Sequence, residues 1–291
     1  MDQSASAIRF ADLVEFPDPG LLPPLDRDGV DEARLTNEQR AWRREGVVIK
    51  RGFIPDAVLD PYIARREAYR RPGHDNNLLG WPYGHCFVKI PELRDVALYP
   101  PLMALLASLV GEEMIFHLAL TRWNTTEREW HQDDYLNPDF VNAWYAAVWI
   151  ALDRIDPESG PFEYVPGSHR WGLLRGEKVR GFLTDEERAR IDPVTGINQW
   201  PKYAERFVTP AIEVEIAAQG VPTVPFLAEK GDVLVWHGRL MHRGSRARRP
   251  MPRKSLITHY SGITHRPDIL ATARDRNGQC YAAFDPPPDM G

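Results

Sequence analysis

Hydrophobic positions change their period once along the chain. Up to about residue 111 they recur with helical spacing; beyond it they alternate or run in short blocks, as strands do. Thr36-Asn37-Glu38-Gln39 is a capping box and predicts a helix ending near Gly46. A short strand follows at Val47-Val48-Ile49-Lys50, then a helix after Ile54-Pro55-Asp56 with Leu59, Tyr62 and Ile63 on one face. Leu102, Leu105, Leu106, Leu109 and Val110 fall at i, i+3, i+4, i+7 and i+8, an amphipathic helix closed by Gly111. Strands are expected over 114–123, 130–135, 143–152 and 162–165, and again over 212–216, 232–236 and 254–261. Between the two groups lies an insertion at about 172–209, in which Thr184-Asp185-Glu186-Glu187 caps a short helix. Helices first and short strands afterwards predict an α+β, mainly β domain whose strands close into a double-sheet barrel.

Three polar residues interrupt this pattern in a way that suggests chemistry. His131 and Asp133 flank Gln132, and on an extended strand residues two apart point to one face. Asp134 competes as the carboxylate but would face away. Downstream, an apolar strand runs into His237-Gly238-Arg239-Leu240-Met241-His242. Its two histidines are five apart, so on one regular strand only one of them shares a face with the site. Two histidines and one carboxylate form a facial triad that leaves positions open on Fe(II). A guanidinium on the next strand is the fork that a dicarboxylate's far end needs, and Arg246, Arg248, Arg249 and Arg253 compete for that role.

With these residues in view, the chain resembles the phytanoyl-CoA dioxygenase family of Fe(II)/2-oxoglutarate-dependent oxygenases from about 35 to 260. Gly160-Pro161-Phe162-Glu163-Tyr164-Val165-Pro166-Gly167-Ser168-His169 adds to the likeness. The resemblance implies a double-stranded β-helix (jelly roll, cupin-like) with flanking helices. It implies His131, Asp133 and His242 as metal ligands and catalytic centre, because the family's 2-oxoglutarate-binding arginine follows the second histidine by eleven positions, here Arg253. His237 is then a packing or supporting histidine. Trp149 matches an aromatic near the cosubstrate, and Lys89 matches a position that touches 2-oxoglutarate. The family often has serine two residues after the second histidine; here that position is Gly244 and the serine is Ser245. Fe(II), 2-oxoglutarate and O2 are the implied cofactor and cosubstrates. Halogenases related to this family carry a small residue at the carboxylate position, so Asp133 points to hydroxylation or another oxygen-derived outcome. The expected substrate is a small organic molecule, a natural-product or metabolic intermediate, oxidised at an unactivated C–H bond. The alternatives are a 2-oxoglutarate-independent cupin-type metalloenzyme and a non-catalytic small-molecule-binding barrel.

Composition narrows this picture only at its edges. With 43% hydrophobic and 26% charged residues the chain can bury a core. A formal net charge of −5 and a pI near 6.0 give no support to nucleic-acid binding through bulk charge. Cys86 and Cys280 fit no metal or redox spacing, no apolar run reaches bilayer length, and the N-terminus lacks the regions of a signal peptide, so the expectation is a cytoplasmic protein with no membrane partner. The expected organisation is an irregular arm over 1–34, carrying Pro17, Pro19, Pro23 and Pro24, an oxygenase domain over 35–265, and a tail over 266–291. Residues 71–87 and the insertion are expected to form the lid.

Overall fold

A computed structural model describes residues 8–125, 127–193 and 196–284. In chain order the elements are α1 (Phe10–Leu13), β1 (Val14–Glu15), α2 (Asn37–Glu45), β2 (Val47–Lys50), α3 (Asp56–Ala68), α4 (Pro91–Ala97), α5 (Pro100–Val110), β3 (Met114–Leu120), β4 (Tyr145–Ala151) and β5 (Phe162–Tyr164). Then come β6 (Leu173–Leu174), α6 (Gly176–Gly181), α7 (Asp185–Ala189), α8 (Trp200–Gln219), β7 (Val224–Pro225), β8 (Val233–His237), β9 (His242–Gly244), β10 (Ser255–Gly262), β11 (Thr272–Arg274) and β12 (Cys280–Ala282). The large sheet has the order β11-β12-β3-β10-β4-β8-β2, and a smaller one has the order β7-β5-β9. A single antiparallel bridge from His131 to His242 extends the small sheet beyond β9.

Alternation along the strands sorts the core into layers. On β4, Tyr145, Ala147, Trp149 and Ala151 point between the two sheets, where they meet Phe162, Tyr164, Leu234 and Trp236. Ala146, Val148 and Ile150 point the other way, into the cluster built by α2 to α5. Both faces of the strand are buried, which is why it reads as one continuous apolar run. The capping boxes at Thr36 and Thr184 form as the sequence predicts, and Gly46 ends α2 in the left-handed region at φ 72°. Among the described residues no single helix is long and apolar enough to cross a membrane.

Four expectations need correction. Residues 130–135 are not a strand: apart from the His131 bridge they run into a 3-10 turn over Asp134–Leu136. Residues 212–216 are not a strand but the later part of α8, which continues through Pro210. Phe207, Val208, Ala211 and Ile212 form its buried stripe while Val214 is 71% exposed, a helical pattern that Ile-Glu-Val-Glu-Ile imitates at period two. The segment beyond 266 is not all tail, because β12 adds to the large sheet parallel to β3 and β11 pairs with it; residues 285–291 lie outside the described part. Nor is the arm wholly irregular: β1 pairs with β6, and Phe10 and Leu13 are buried with α8. Its first seven residues are outside the described part.

Candidate metal centre and cosubstrate anchor

The small sheet and the turn after His131 bring three ligand-type side chains together. His131 and His242 face each other across their bridge with ring centroids 4.2 Å apart. Asp133 Oδ1 lies 3.7 Å from Nε2 of each. All three are buried, and they form the metal-competent cluster found among the described residues. Asp133 arrives there by way of the turn rather than a strand. The amides of Asp133 and Asp134 both donate to the carbonyl of Gly238, at 2.8 and 3.0 Å. Gly238 permits this approach because a Cβ there would come 2.8 Å from Asp134 Oδ1 and from the Tyr145 ring. Asp134 turns away and pairs with Arg239 at 3.1 Å.

Each triad group is oriented from behind. His131 Nδ1 meets the carbonyl of Glu129 at 2.7 Å, and His242 Nδ1 that of Leu240 at 2.9 Å. A carbonyl only accepts, so both rings carry their proton on Nδ1 and present a bare Nε2 to the cluster. Burial pushes both imidazoles below their ordinary pKa, which keeps them neutral and ready to ligate. Trp236 Nε1 donates to Asp133 Oδ2 at 3.0 Å, and the Tyr145 hydroxyl lies 3.4 Å from the same oxygen. Oδ1 is thereby left free. His259 completes this group through its hydrogen bond to Tyr145. Sequence reading missed Trp236, Tyr145 and His259; the available signal was their phase, since each falls on the inward side of its strand.

Arg253 lies just before β10 and is 4% exposed. Its amide donates to the carbonyl of Trp123 at 2.7 Å, and its Nη1 donates to the carbonyl of Gly160. Its Nε is buried with no partner, and no carboxylate pairs with it among the described residues. Burial lowers its pKa to about 10, so it remains a cation at neutral pH. A buried, uncompensated guanidinium is costly unless an anion joins it, and that is the fit expected for a bound dicarboxylate. Trp149 stands beside it, with the guanidinium 6.0 Å from the ring and Nε1 also unpartnered. A cavity of about 190 Å³ opens over Arg253, lined in part by Trp81, Tyr83, Asn124 and Ile257.

The rival residues sit elsewhere. Arg246, Arg248 and Arg249 are exposed, and Arg248 pairs with Glu158. His237 bonds Asp26 at 3.0 Å and packs on Trp42 and His169, outside the triad. Ser245 donates its hydroxyl to the carbonyl of Pro161 at 2.7 Å, which ties it to the wall that also holds Arg253. Lys89 caps a 3-10 turn whose Phe87 packs on Phe116 in the helical layer, and no hydrogen bond or ion pair links it to the triad or to Arg253.

A buried His-Asp-His set beside two facing sheets, with a buried arginine just before β10 that has no carboxylate partner among the described residues, fits the class of non-haem iron oxygenases that use 2-oxoglutarate. Comparison with known proteins agrees. The phytanoyl-CoA dioxygenase (PhyH) profile matches residues 42–255, and the chain belongs to that family. Dioxygenase af480 of Aspergillus fumigatus is 24% identical over 274 residues, covering 86% of this chain and 75% of that protein. In fold, the chain is similar to iron-bound EctD from S. alaskensis, with a TM-score of 0.56 and 18% identity over 90% of this chain and 86% of that one. It is also similar to SnoN, a non-haem 2-oxoglutarate-dependent epimerase of nogalamycin biosynthesis, with a TM-score of 0.53 and 19% identity over 80% and 85%. The protein is an Fe(II)/2-oxoglutarate-dependent dioxygenase of the jelly-roll type.

Proposed function

We propose that His131, Asp133 and His242 hold the iron, that Arg253 binds the distal carboxylate of 2-oxoglutarate beside Trp149, and that the enzyme oxidises an unactivated C–H bond of a small natural-product or metabolic intermediate. The observation that carries this reading is the pairing of a closed ligand set with a buried cation that lacks its own anion. Bound iron, 2-oxoglutarate and O2 supply the oxidising power, with the cosubstrate leaving as succinate and CO2. The chain's own part is geometric and electrostatic. Glu129 and Leu240 carbonyls fix the two histidine tautomers, Trp236 and Tyr145 occupy the outer carboxylate oxygen, and the buried walls keep bulk water from the reacting groups. Small molecules are the bound partners of the structural relatives too: SnoN was solved with nogalamycin RO and EctD with 5-hydroxyectoine.

The test is succinate release by the iron-loaded protein across a panel of acyl chains, amino-acid derivatives, sugars and polycyclic natural products. Stimulation by one class over the substrate-free rate is expected. Iron and 2-oxoglutarate binding without any stimulated turnover would remove the small-molecule part of the reading. Trp236→Phe is expected to weaken Fe(II) binding by roughly 10- to 100-fold, the usual effect of removing a hydrogen bond behind a metal ligand. An anaerobic Fe(II) titration reads that loss, and unchanged affinity would mean that the indole N–H does not orient Asp133.

A further inference from the structure

The inward positions of β10 run Ser255, Ile257, His259, opposite in phase to Leu256 and Tyr260, which face the helices. His259 is a buried polar residue on that inward phase, linked to the triad's surroundings through Tyr145 and Trp236. It is 7% exposed, stands edge-on to Trp236 at 6.2 Å, and shares a hydrogen bond with the Tyr145 hydroxyl through Nδ1. Its other nitrogen, Nε2, is buried and has no partner. Buried polar atoms in folded proteins are satisfied in nearly all cases, so an orphan beside a catalytic centre marks the place of an absent group.

The direction of that missing hydrogen bond follows from proton counting. A neutral imidazole has one N–H and one lone pair, so which of them Nε2 presents is set by the bond that Nδ1 makes to Tyr145. Tyr145 has one hydroxyl proton and two neighbours, His259 Nδ1 and Asp133 Oδ2. If the proton went to His259, the hydroxyl oxygen would turn a lone pair towards the carboxylate 3.4 Å away. If it goes to Asp133, the bond is charge-assisted, and the oxygen then accepts from His259 Nδ1–H. The second arrangement points every donor towards the anion. It leaves Nε2 as a bare acceptor.

We infer that His259 Nε2 accepts a hydrogen bond from a hydroxyl or amine of the prime substrate, close to the carbon that is oxidised. The inference rests on the iron-site reading above and narrows it: a bare hydrocarbon chain leaves this acceptor unpaired, whereas a hydroxylated or amine-bearing metabolite satisfies it. Sites built to hydrogen-bond a substrate group reject the analogue that lacks it, because the buried partner stays unsatisfied. His259 thereby discriminates between substrates, while Tyr145 transmits its position to Asp133.

The experiment uses the full chain carrying 2-oxoglutarate and Zn(II) in place of iron, which keeps it diamagnetic, with histidines labelled by ¹⁵N. The His259 resonances are assigned by their loss in His259→Gln. Long-range ¹⁵N–¹H correlations should show a protonated Nδ1 and a bare Nε2; a protonated Nε2 overturns the inference on the native protein, without any variant. Matched probes on alicyclic, aryl-alkyl and sugar-like scaffolds, each in deoxy, hydroxyl and amine form, are then titrated. At least one hydroxyl or amine probe should bind tenfold or more tightly than its deoxy counterpart and move the Nε2 resonance, and His259→Phe should erase that preference. Equal binding within every set, or binding by no member, overturns it as well, the second result leaving an ordered water as the occupant. Failure of Zn(II) or 2-oxoglutarate to bind is seen separately in their own titrations and would take down the iron-site reading first.

Discussion

Asp133→Ala is expected to abolish iron binding and turnover while the protein stays folded. Both rings of the histidine pair present bare Nε2 atoms, but two neutral ligands without the carboxylate lose the anionic member of the set. Outer contacts of metal ligands are worth about 10- to 100-fold in affinity, so loss of a ligand itself is expected to exceed about 100-fold. The fold bears the change because the Asp133 backbone is held by Gly238, independently of its side chain. What remains is a Trp236 N–H without its acceptor, a cost of about 1–3 kcal/mol. Anaerobic Fe(II) titration and circular dichroism check the two halves. His237→Ala provides the contrast: that ring bonds Asp26, so iron stoichiometry is expected to survive. Wild-type iron affinity in Asp133→Ala, or its loss in His237→Ala alone, would relocate the metal.

Arg253→Ala should raise the KM for 2-oxoglutarate and leave that for the prime substrate nearly unmoved. A hydrogen bond to a charged group contributes about 1.5–3 kcal/mol, which is roughly a 10- to 150-fold change in KM. The variant loses more than charge, because Nη1 also braces the carbonyl of Gly160. Arg253→Lys separates the two effects: it restores a cation but not the fork, and should recover part of the affinity. If 2-oxoglutarate dependence is untouched in both variants, Arg253 is not the anchor, and exposed Arg249 becomes the next candidate.

Much of the arrangement was legible in the chain, and the unread parts have physical causes. Helix signals carried by a cap and a long apolar stripe, as at Thr36–Gly46 and Leu102–Gly111, came through because several independent features agree over ten residues. Residues 212–216 misled because five alternating positions fit either period, and only the wider window from Phe207 shows the helix. Asp133 was chosen over Asp134 on strand alternation, yet the structure separates them through a turn pinned to Gly238, a contact 105 residues away from it in sequence. Tyr145 and His259 could not be read as partners, since their link depends on the register between β4 and β10. The strands after residue 266 are short and add to an edge already formed by β3, so they leave almost no periodic trace.

The helices α6 and α8 do not merely cover the barrel. Their cluster includes Trp130 and Met241, the residues immediately before His131 and His242. The same backbone turn that buries an apolar residue under these helices therefore sets the aim of the imidazole next to it. A segment in this position is not an interchangeable cassette. Grafting the corresponding stretch from a relative to alter selectivity would also re-aim the two histidines, unless Phe207, Val208 and Ala211 were matched to the floor they rest on. Directed evolution of this enzyme would then do better with single changes on the exposed side of α8 than with whole-segment exchange.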